Sequence, residues 1–320
     1  MDHVAGGSAR GRPRVDRVKT AGALVPALLL ATLAGPAGAM VERALALGDA
    51  AYARRAEQHR DGRARPDAIA AAIDAYEQAL AGDPSRLDVR WRLLRALYFR
   101  GDFAEVTPEE RRATFDRGRL LAEDTIDELA KRFGGATPHE LEAGDREPRI
   151  DRAGLGVSDV ARTYFWAAVH WGAWSRDVGL LTAVREGAAN RVRDYAELCA
   201  ALEPGYERAG AHRLLSRLHA KLPRVPFVSG WVDRARAIPE AERAFDLAPA
   251  DPGNQLLLAM TLLDLAPDRR EEALALLARA AGTPLRPELR AEDLAVRREA
   301  GKRLATELGA PGGAAAAPAS

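Results

Sequence analysis

The chain has 320 residues, a formal net charge of +1 at pH 7 and a single cysteine. Ala, Leu, Arg and Glu dominate the composition, which favours helices, and the length suits two average domains or one elongated array. Without residues 1–39 the chain has 42 basic and 44 acidic residues, so there is no basic surface of the kind that nucleic acid requires. Cys199 cannot form a disulfide framework and is expected to be a buried thiol.

The first 39 residues have the pattern of a signal peptide. Basic residues up to Lys19 precede the apolar run 21–34, and Ala37-Gly38-Ala39 supplies a small-x-small cleavage pattern before Met40. Fourteen helical residues span roughly 21 Å, which is short of the roughly 30 Å bilayer core. We therefore expect export to the periplasm and cleavage. The alternatives are an uncleaved anchor and a cytoplasmic protein that starts at Met40. No cysteine lies near the cleavage site, so there is no lipobox.

Residues 40–133 are predicted to form two helical hairpins. Apolar residues recur every three to four positions in two segments, 41–60 and 67–81, which are separated by the turn-forming DGRARP. A second pair follows at 87–100 and 107–133. Thr107-Pro108-Glu109-Glu110 has the pattern of an N-terminal capping box and predicts the start of the last of these helices.

The second half is predicted to be a separate helical domain, 158–308. Residues 134–157 are rich in Gly, Pro and charge and lack sustained periodicity, which predicts a loop excursion between the halves. The tail 309–320 is expected to be disordered. The first helix expected within 158–308 is the aromatic helix, capped by Ser158 and Asp159. The helices that follow it are predicted at 180–202, 207–222, 231–247, 253–266, 269–281 and 288–308.

One short motif recurs three times. Two small or aromatic residues three apart are followed by a proline five residues later, at Tyr76, Ala79 and Pro84, at Ala196, Cys199 and Pro204, and at Ala241, Ala244 and Pro249. Small residues allow close helix packing, and the proline ends the helix. This is typical of the second helix of a tetratricopeptide hairpin. The predicted fold class is therefore all-α, a tetratricopeptide-like helical-hairpin array, or α-solenoid.

The segment RTYFWAAVHWGAWSR carries the candidate binding residues. Its large side chains cannot share one apolar stripe of a helix. Trp166, His170 and Trp174 form one face, which either packs as core or lines a groove, because indole and imidazole N–H groups need polar partners. Tyr164 and Trp171 belong to another face, for which core packing is favoured. Both alternatives stay open at this point.

The order of elements from 159 to 263 resembles the TRAP transporter T-component (TatT) family. The resemblance rests on YFWAAVHWGAW, on ERAGAHRLLSRLHAKLP, on the Gly230-Trp231 entry to AERAFDLAPAD, and on NQLLLAM. It implies a tetratricopeptide-like periplasmic protein that binds the solute-binding protein of a tripartite, ion-driven transporter. It also implies a homotrimer with a pore and with apolar sites for a hydrophobic ligand. Arg213, Phe227 and Trp231 are further candidates for such a site, although Arg213 could instead anchor a neighbouring loop.

No catalytic or metal-binding motif is present. There is no phosphate loop, HExxH, cysteine pair or GxSxG. His212 and His219 lie seven residues apart, about 10.5 Å along a helix, which is too far for one metal ion. We therefore expect no cofactor and no enzymatic activity. A transport accessory is the preferred function. A tetratricopeptide adaptor unrelated to transport is the alternative, followed by an enzyme built on a helical superhelix.

Overall fold

The computed structural model describes residues 35–60, 62–226 and 228–309. Within these ranges there are thirteen α-helices, and the only sheet is the two-stranded pair β1 (His59–Arg60) and β2 (Arg63–Ala64). The all-α prediction is confirmed. In chain order the helices are α1 (Pro36–Ala53), α2 (Pro66–Gly82), α3 (Leu87–Phe103), α4 (Pro108–Arg132), α5 (Ala143–Arg152), α6 (Val157–Val178), α7 (Leu180–Arg185), α8 (Ala188–Leu202), α9 (Tyr206–Lys221), α10 (Ala237–Leu247), α11 (Pro252–Leu265), α12 (Arg270–Gly282) and α13 (Arg290–Glu307).

The helices pack as five consecutive hairpins. These are α1 with α2, α3 with α4, α6 with α8, α9 with α10, and α11 with α12. Each hairpin packs against the next, through α2 on α3, α4 on α6, α8 on α9 and α10 on α11. Such nearest-neighbour stacking is the architecture of a helical-repeat array. The chain is a tetratricopeptide-like array of helical hairpins.

The recurring motif marks the second helix of three hairpins, as predicted. Its small residues in α2, α8 and α10 are all fully buried. After each helix the backbone N–H of the capping residue, Asp83, Glu203 or Ala248, donates to the carbonyl of the last small residue of the motif. The three caps share a φ between −149° and −144°, so the motif ends each helix with the same geometry.

Three clusters of buried apolar side chains follow one another along the array. The first joins α1, α2 and α3, the second surrounds α6, and the third joins α11 and α12. The central cluster contains nearly all of the α6 aromatics. Because α6 contacts α3, α4, α8 and α9, it is covered on several sides. This explains how a helix with large residues on more than one face is accommodated.

The last helix returns to the first hairpin. Ala291 of α13 is fully buried within the N-terminal cluster. Arg55, which follows α1, donates to Glu292 over 2.7 Å. The array therefore curves far enough for its two ends to touch.

Several predicted element boundaries were wrong. The predicted loop excursion contains α5, whose Ile150 is fully buried against the central cluster. Helix α6 begins at Val157, and neither predicted cap acts as one; the Asp159 carboxylate accepts a hydrogen bond from Trp91 Nε1 instead, over 2.8 Å. The segment 180–202 is split into α7 and α8 at Gly187. Trp231 lies in a turn before α10 rather than inside a helix.

Two predictions concern residues that are not described. The basic and apolar parts of the predicted signal peptide, and the tail beyond Gly309, lie outside the described residues. None of the helices in the described ranges has the length and apolar character needed to cross a membrane.

Candidate functional site

A pocket of 710 Å³ lies among α6, α8, α9 and α11. Most of its wall is aliphatic. Representative side chains are Val169, Val192, Leu214, Leu218, Leu257 and Met260. Ligand pockets for small molecules are typically about 300–1,000 Å³ and mainly apolar, so this pocket has the size and character of a binding site.

Polar groups lie in the wall of the same pocket. Lys221 is paired with Asp264, and Arg176 contacts Asp102 over 3.4 Å. Arg217 also lines the pocket, is exposed, and has no ion-pair partner among the described residues. An apolar cavity with a few polar groups can hold an apolar molecule and orient a polar end.

The short helix α7 borders the pocket and leaves apolar side chains in solvent. Leu180 is 72% exposed, Leu181 is 86% exposed and Val184 is 42% exposed. Gly179 and Gly187 flank the helix with φ of 84° and 67°, a backbone region that suits glycine. Leu180 and Val184 also line the pocket, so apolar surface continues from its interior to the outside.

Trp166 and His170, for which a groove and core packing were the two alternatives, are buried. Trp166 is 5% exposed, and its Nε1 donates to the Tyr206 hydroxyl over 2.8 Å. His170 is fully buried, and its Nε2 lies 2.8 Å from the Leu94 carbonyl oxygen. Burial lowers the pKa of His170 to about 4, against a smaller opposing effect of that carbonyl. Both rings thus have polar partners inside the core.

The remaining aromatic candidates of α6 are also packed. Tyr164 and Trp171 are fully buried, and Trp174 is 7% exposed. The two indoles meet edge to face with ring centroids 5.4 Å apart, and the Arg119 guanidinium lies 4.7 Å from the Trp174 ring centroid. None of the five α6 candidates lines the pocket. The Trp166 face lies in the core, the other alternative, where α9 and α3 supply polar partners for Trp166 Nε1 and His170 Nε2.

The other three candidates have different positions. Arg213 donates to the carbonyls of Glu207 and Arg208 and to Asn254 Oδ1. It therefore anchors a neighbouring segment, the alternative that the sequence left open. Trp231 is half-buried, and its Nε1 donates to Asn190 Oδ1 over 2.6 Å. Phe227 is not among the described residues.

The pocket uses the face of α6 that carries small side chains. Val169, Gly172, Ala173 and Arg176 recur at helical spacing and line the cavity. An added Cβ at Gly172 would have Val192 as its nearest neighbour, 3.9 Å away. The large side chains of α6 lie in the core, and the sequence signal for the cavity is the face with small ones.

The described residues contain no group of three or more histidine, cysteine or acidic side chains placed to hold a metal ion. Cys199 is buried, and burial raises the pKa of its thiol above the ordinary value. A thiol in this state is not a reactive nucleophile.

Comparison with known proteins does not assign the chain to a family. No family model matches the chain, and no curated protein matches it. Among solved structures it is similar to a thermophilic TPR protein of Thermus thermophilus, with 17% identity, a TM-score of 0.49, and coverage of 82% of this chain and 98% of the other. TPR denotes the tetratricopeptide repeat. The class of protein is therefore given by the hairpin array itself, a fold that typically serves as a scaffold for interactions.

Proposed function

We propose that this protein is a non-enzymatic binding scaffold that holds a largely apolar molecule in the pocket among α6, α8, α9 and α11. The observation that carries the proposal is the aliphatic cavity of 710 Å³. The continuous apolar surface on Leu180 and Val184 supports it, since such surface gives an apolar ligand a path of contact into the cavity.

The biological setting that we propose is tripartite transport. The ordered motifs of α6, α9, α10 and α11 resemble the TRAP transporter T-component family, and the first 39 residues resemble an export signal. In this setting the protein is a periplasmic homotrimer that binds a solute-binding protein. Val41 is buried, whereas Ala39 and Met40 are exposed, so cleavage before Met40 would leave the core contacts of Val41 in place.

Filling the pocket tests ligand binding. The purified protein is titrated with a saturated fatty acid of medium chain length, followed by isothermal calorimetry. Gly172→Leu places a side chain in the cavity and should abolish binding. Gly301→Leu is the matched control, because an added Cβ there meets nothing within 4 Å and Gly301 does not line the pocket. If both variants bind the fatty acid as tightly as the unmodified protein does, this pocket is not the ligand site.

A separate experiment tests the transport setting. The tagged protein is used to capture partners from a periplasmic extract, and light scattering gives its mass. Recovery of a solute-binding protein and a trimer mass are expected. A monomer that captures no such protein would refute the transport role and leave the tetratricopeptide adaptor as the function.

A further inference from the structure

A second cluster, separate from the pocket, lies where α1, α3 and the start of α9 meet. Its centre is Arg95 of α3. The guanidinium carbon lies 3.8 Å from the ring centroid of Tyr52 and 5.2 Å from that of Trp91. Arg95 forms no ion pair within the described ranges, and its Nε is buried without a hydrogen-bond partner. It is thus a half-buried cation surrounded mainly by aromatic rings.

The neighbouring arginines differ from Arg95 because each has a carboxylate partner. The pairs are Arg55 with Glu292 at 2.7 Å, Arg92 with Asp49 at 3.2 Å, and Arg162 with Glu203 at 3.0 Å. These pairs neutralise their own charges. The charge of Arg95 is therefore the one in this cluster that lacks a direct counter-charge among the described residues.

Arg95 remains charged in this setting. Burial lowers the pKa of Arg95, but Tyr52, Tyr206, Tyr76 and Glu207 together raise it, so that the net pKa lies above the ordinary value. A buried charge without a counter-ion is unfavourable, whereas a bound anion would compensate it. A guanidinium is suited to a carboxylate, which it can bind with two parallel hydrogen bonds.

The backbone on the α9 side of the cluster is strained. Glu207, Arg208 and Ala209 have φ of 46°, 57° and 62°, which is rare for residues other than glycine. Arg213 and Asn254 hold this left-handed turn through the carbonyl of Arg208. Strained segments of this kind persist where the surroundings fix them, and they cluster at ligand sites. Here the turn follows Tyr206 and contains Glu207. Both residues raise the pKa of Arg95.

We propose that this cluster is a binding site for a carboxylate carried on an apolar or aromatic body, with Arg95 as the group that binds the carboxylate. Tyr52 and Tyr206 are half-buried, so the cluster is within reach of solvent, and their rings would lie beside the body of the ligand. Neither Arg95 nor these tyrosines line the apolar pocket. The inference is therefore independent of the function proposed above.

The carboxylate could belong to a free acid or to the end of a peptide, and the probes distinguish these sources. Phenylacetate is compared with phenylacetamide, which has a similar shape without the charge. A short peptide that ends in Phe is compared with its C-terminal amide. Calorimetry should show saturable binding of at least one carboxylate and weaker binding of its amide. Tighter binding of the peptide acid than of phenylacetate would assign the site to a chain terminus.

Two variants identify the anchoring group. Arg95→Met should weaken carboxylate binding by about tenfold or more, because a charge-assisted hydrogen bond is lost. Its far-UV circular dichroism should match that of the unmodified protein, so that a loss of binding is not a loss of the fold. Arg90→Met is the control on the same helix, because Arg90 is already paired with Asp124 over 2.6 Å; it should bind carboxylates normally.

The proposal is overturned by any of three results. The first is that no carboxylate probe binds the unmodified protein. The second is that the amides bind as tightly as the acids. The third is that Arg95→Met binds the carboxylate probes as tightly as the unmodified protein does.

Discussion

Arg55 and Glu292 form a 2.7 Å ion pair although 237 residues separate them in the sequence. Arg55 follows the first helix and is 6% exposed, and Glu292 lies in the last helix and is 20% exposed. Arg55 also lies over the ring of Tyr52, with 4.3 Å to the centroid. The pair connects the two ends of the array, where Ala291 of the last helix is also buried in the N-terminal cluster.

Removing the carboxylate of this pair should destabilise the protein strongly. Glu292→Ala leaves a buried guanidinium without its partner, and we expect a loss of about 3 kcal/mol in the free energy of unfolding. Urea denaturation measures this. Glu288→Ala, at an exposed position in the turn before α13, should change stability by less than about 0.5 kcal/mol. If both variants lose a similarly small amount of unfolding free energy, the Arg55–Glu292 pair does not hold the two ends of the array together.

Gly118 of α4 should not tolerate alanine. An added Cβ would overlap the imidazole ring of His170, which is fully buried and held by the Leu94 carbonyl. We expect Gly118→Ala to cost about 1–3 kcal/mol in unfolding free energy, in spite of the better helix propensity of alanine.

The control for Gly118 is another helical glycine. An added Cβ at Gly301 of α13 meets nothing within 4 Å, so Gly301→Ala should stabilise the protein by about 0.5–1 kcal/mol. Opposite signs for the two substitutions in thermal unfolding are the expected result. Stabilisation by both would show that the ring of His170 can move aside.

The buried His170 should make stability depend on pH. Its pKa falls from 6.5 to about 4 because of burial, so the unfolded chain binds a proton more readily than the folded protein. The contribution is fully present above pH 6.5 and is lost as the pH falls towards 4, by up to about 3 kcal/mol. Urea denaturation between pH 7 and pH 4 should show this fall, and His170→Gln should flatten it. An unchanged pH profile in the variant would contradict this assignment.

The sequence predicted the repeating part of this fold well, for a local reason. The motif of Ala196, Cys199 and Pro204 acts through contacts within one hairpin, so three copies marked three equivalent helices. Hairpin order and most helix positions followed from apolar spacing alone. The predicted loop at 134–157 failed because α5 is short, and its burial rests largely on Ile150.

The sequence could not determine the contacts of the candidate residues. His170 contacts a carbonyl 76 residues away, and Trp231 contacts an amide 41 residues away. Whether a tryptophan lies in a core or in a pocket depends on such distant partners. The small residues that line the pocket, such as Gly172 and Ala173, have no distinctive chemistry, and Arg95 stands out only after the partners of its neighbours are known.

Removal of the predicted signal peptide should leave the fold unchanged. Among the residues whose burial is described, Val41 is the first buried one, with 4% exposure, whereas Met40 is 72% exposed. We expect protein purified from the periplasm of the native host to begin at Met40 by N-terminal sequencing. A recombinant chain starting at Met40 should have the same urea midpoint as that material. Cytoplasmic protein that retains Met1 would refute export.

Arg213 should be among the most sensitive positions of the array. Its guanidinium donates to the Glu207 and Arg208 carbonyls over 2.9 and 2.7 Å and to Asn254 over 2.9 Å. Burial lowers its pKa to about 10, so it is still charged at neutral pH. Both carbonyls belong to the left-handed turn at the start of α9.

Arg213→Ala should therefore lower the free energy of unfolding by about 3 kcal/mol, since several buried acceptors lose their donor. Arg213→Lys should recover only part of this loss, because an ammonium cannot bridge the two carbonyls as a planar guanidinium does. Hydrogen exchange of the Ala209 amide, which donates to the Gly205 carbonyl over 3.2 Å, should accelerate in both variants. Arg217→Ala, at an exposed position on the same helix, should leave that exchange rate unchanged. If Arg213→Ala also leaves it unchanged, the turn is held by Asn254 and by local backbone contacts rather than by Arg213.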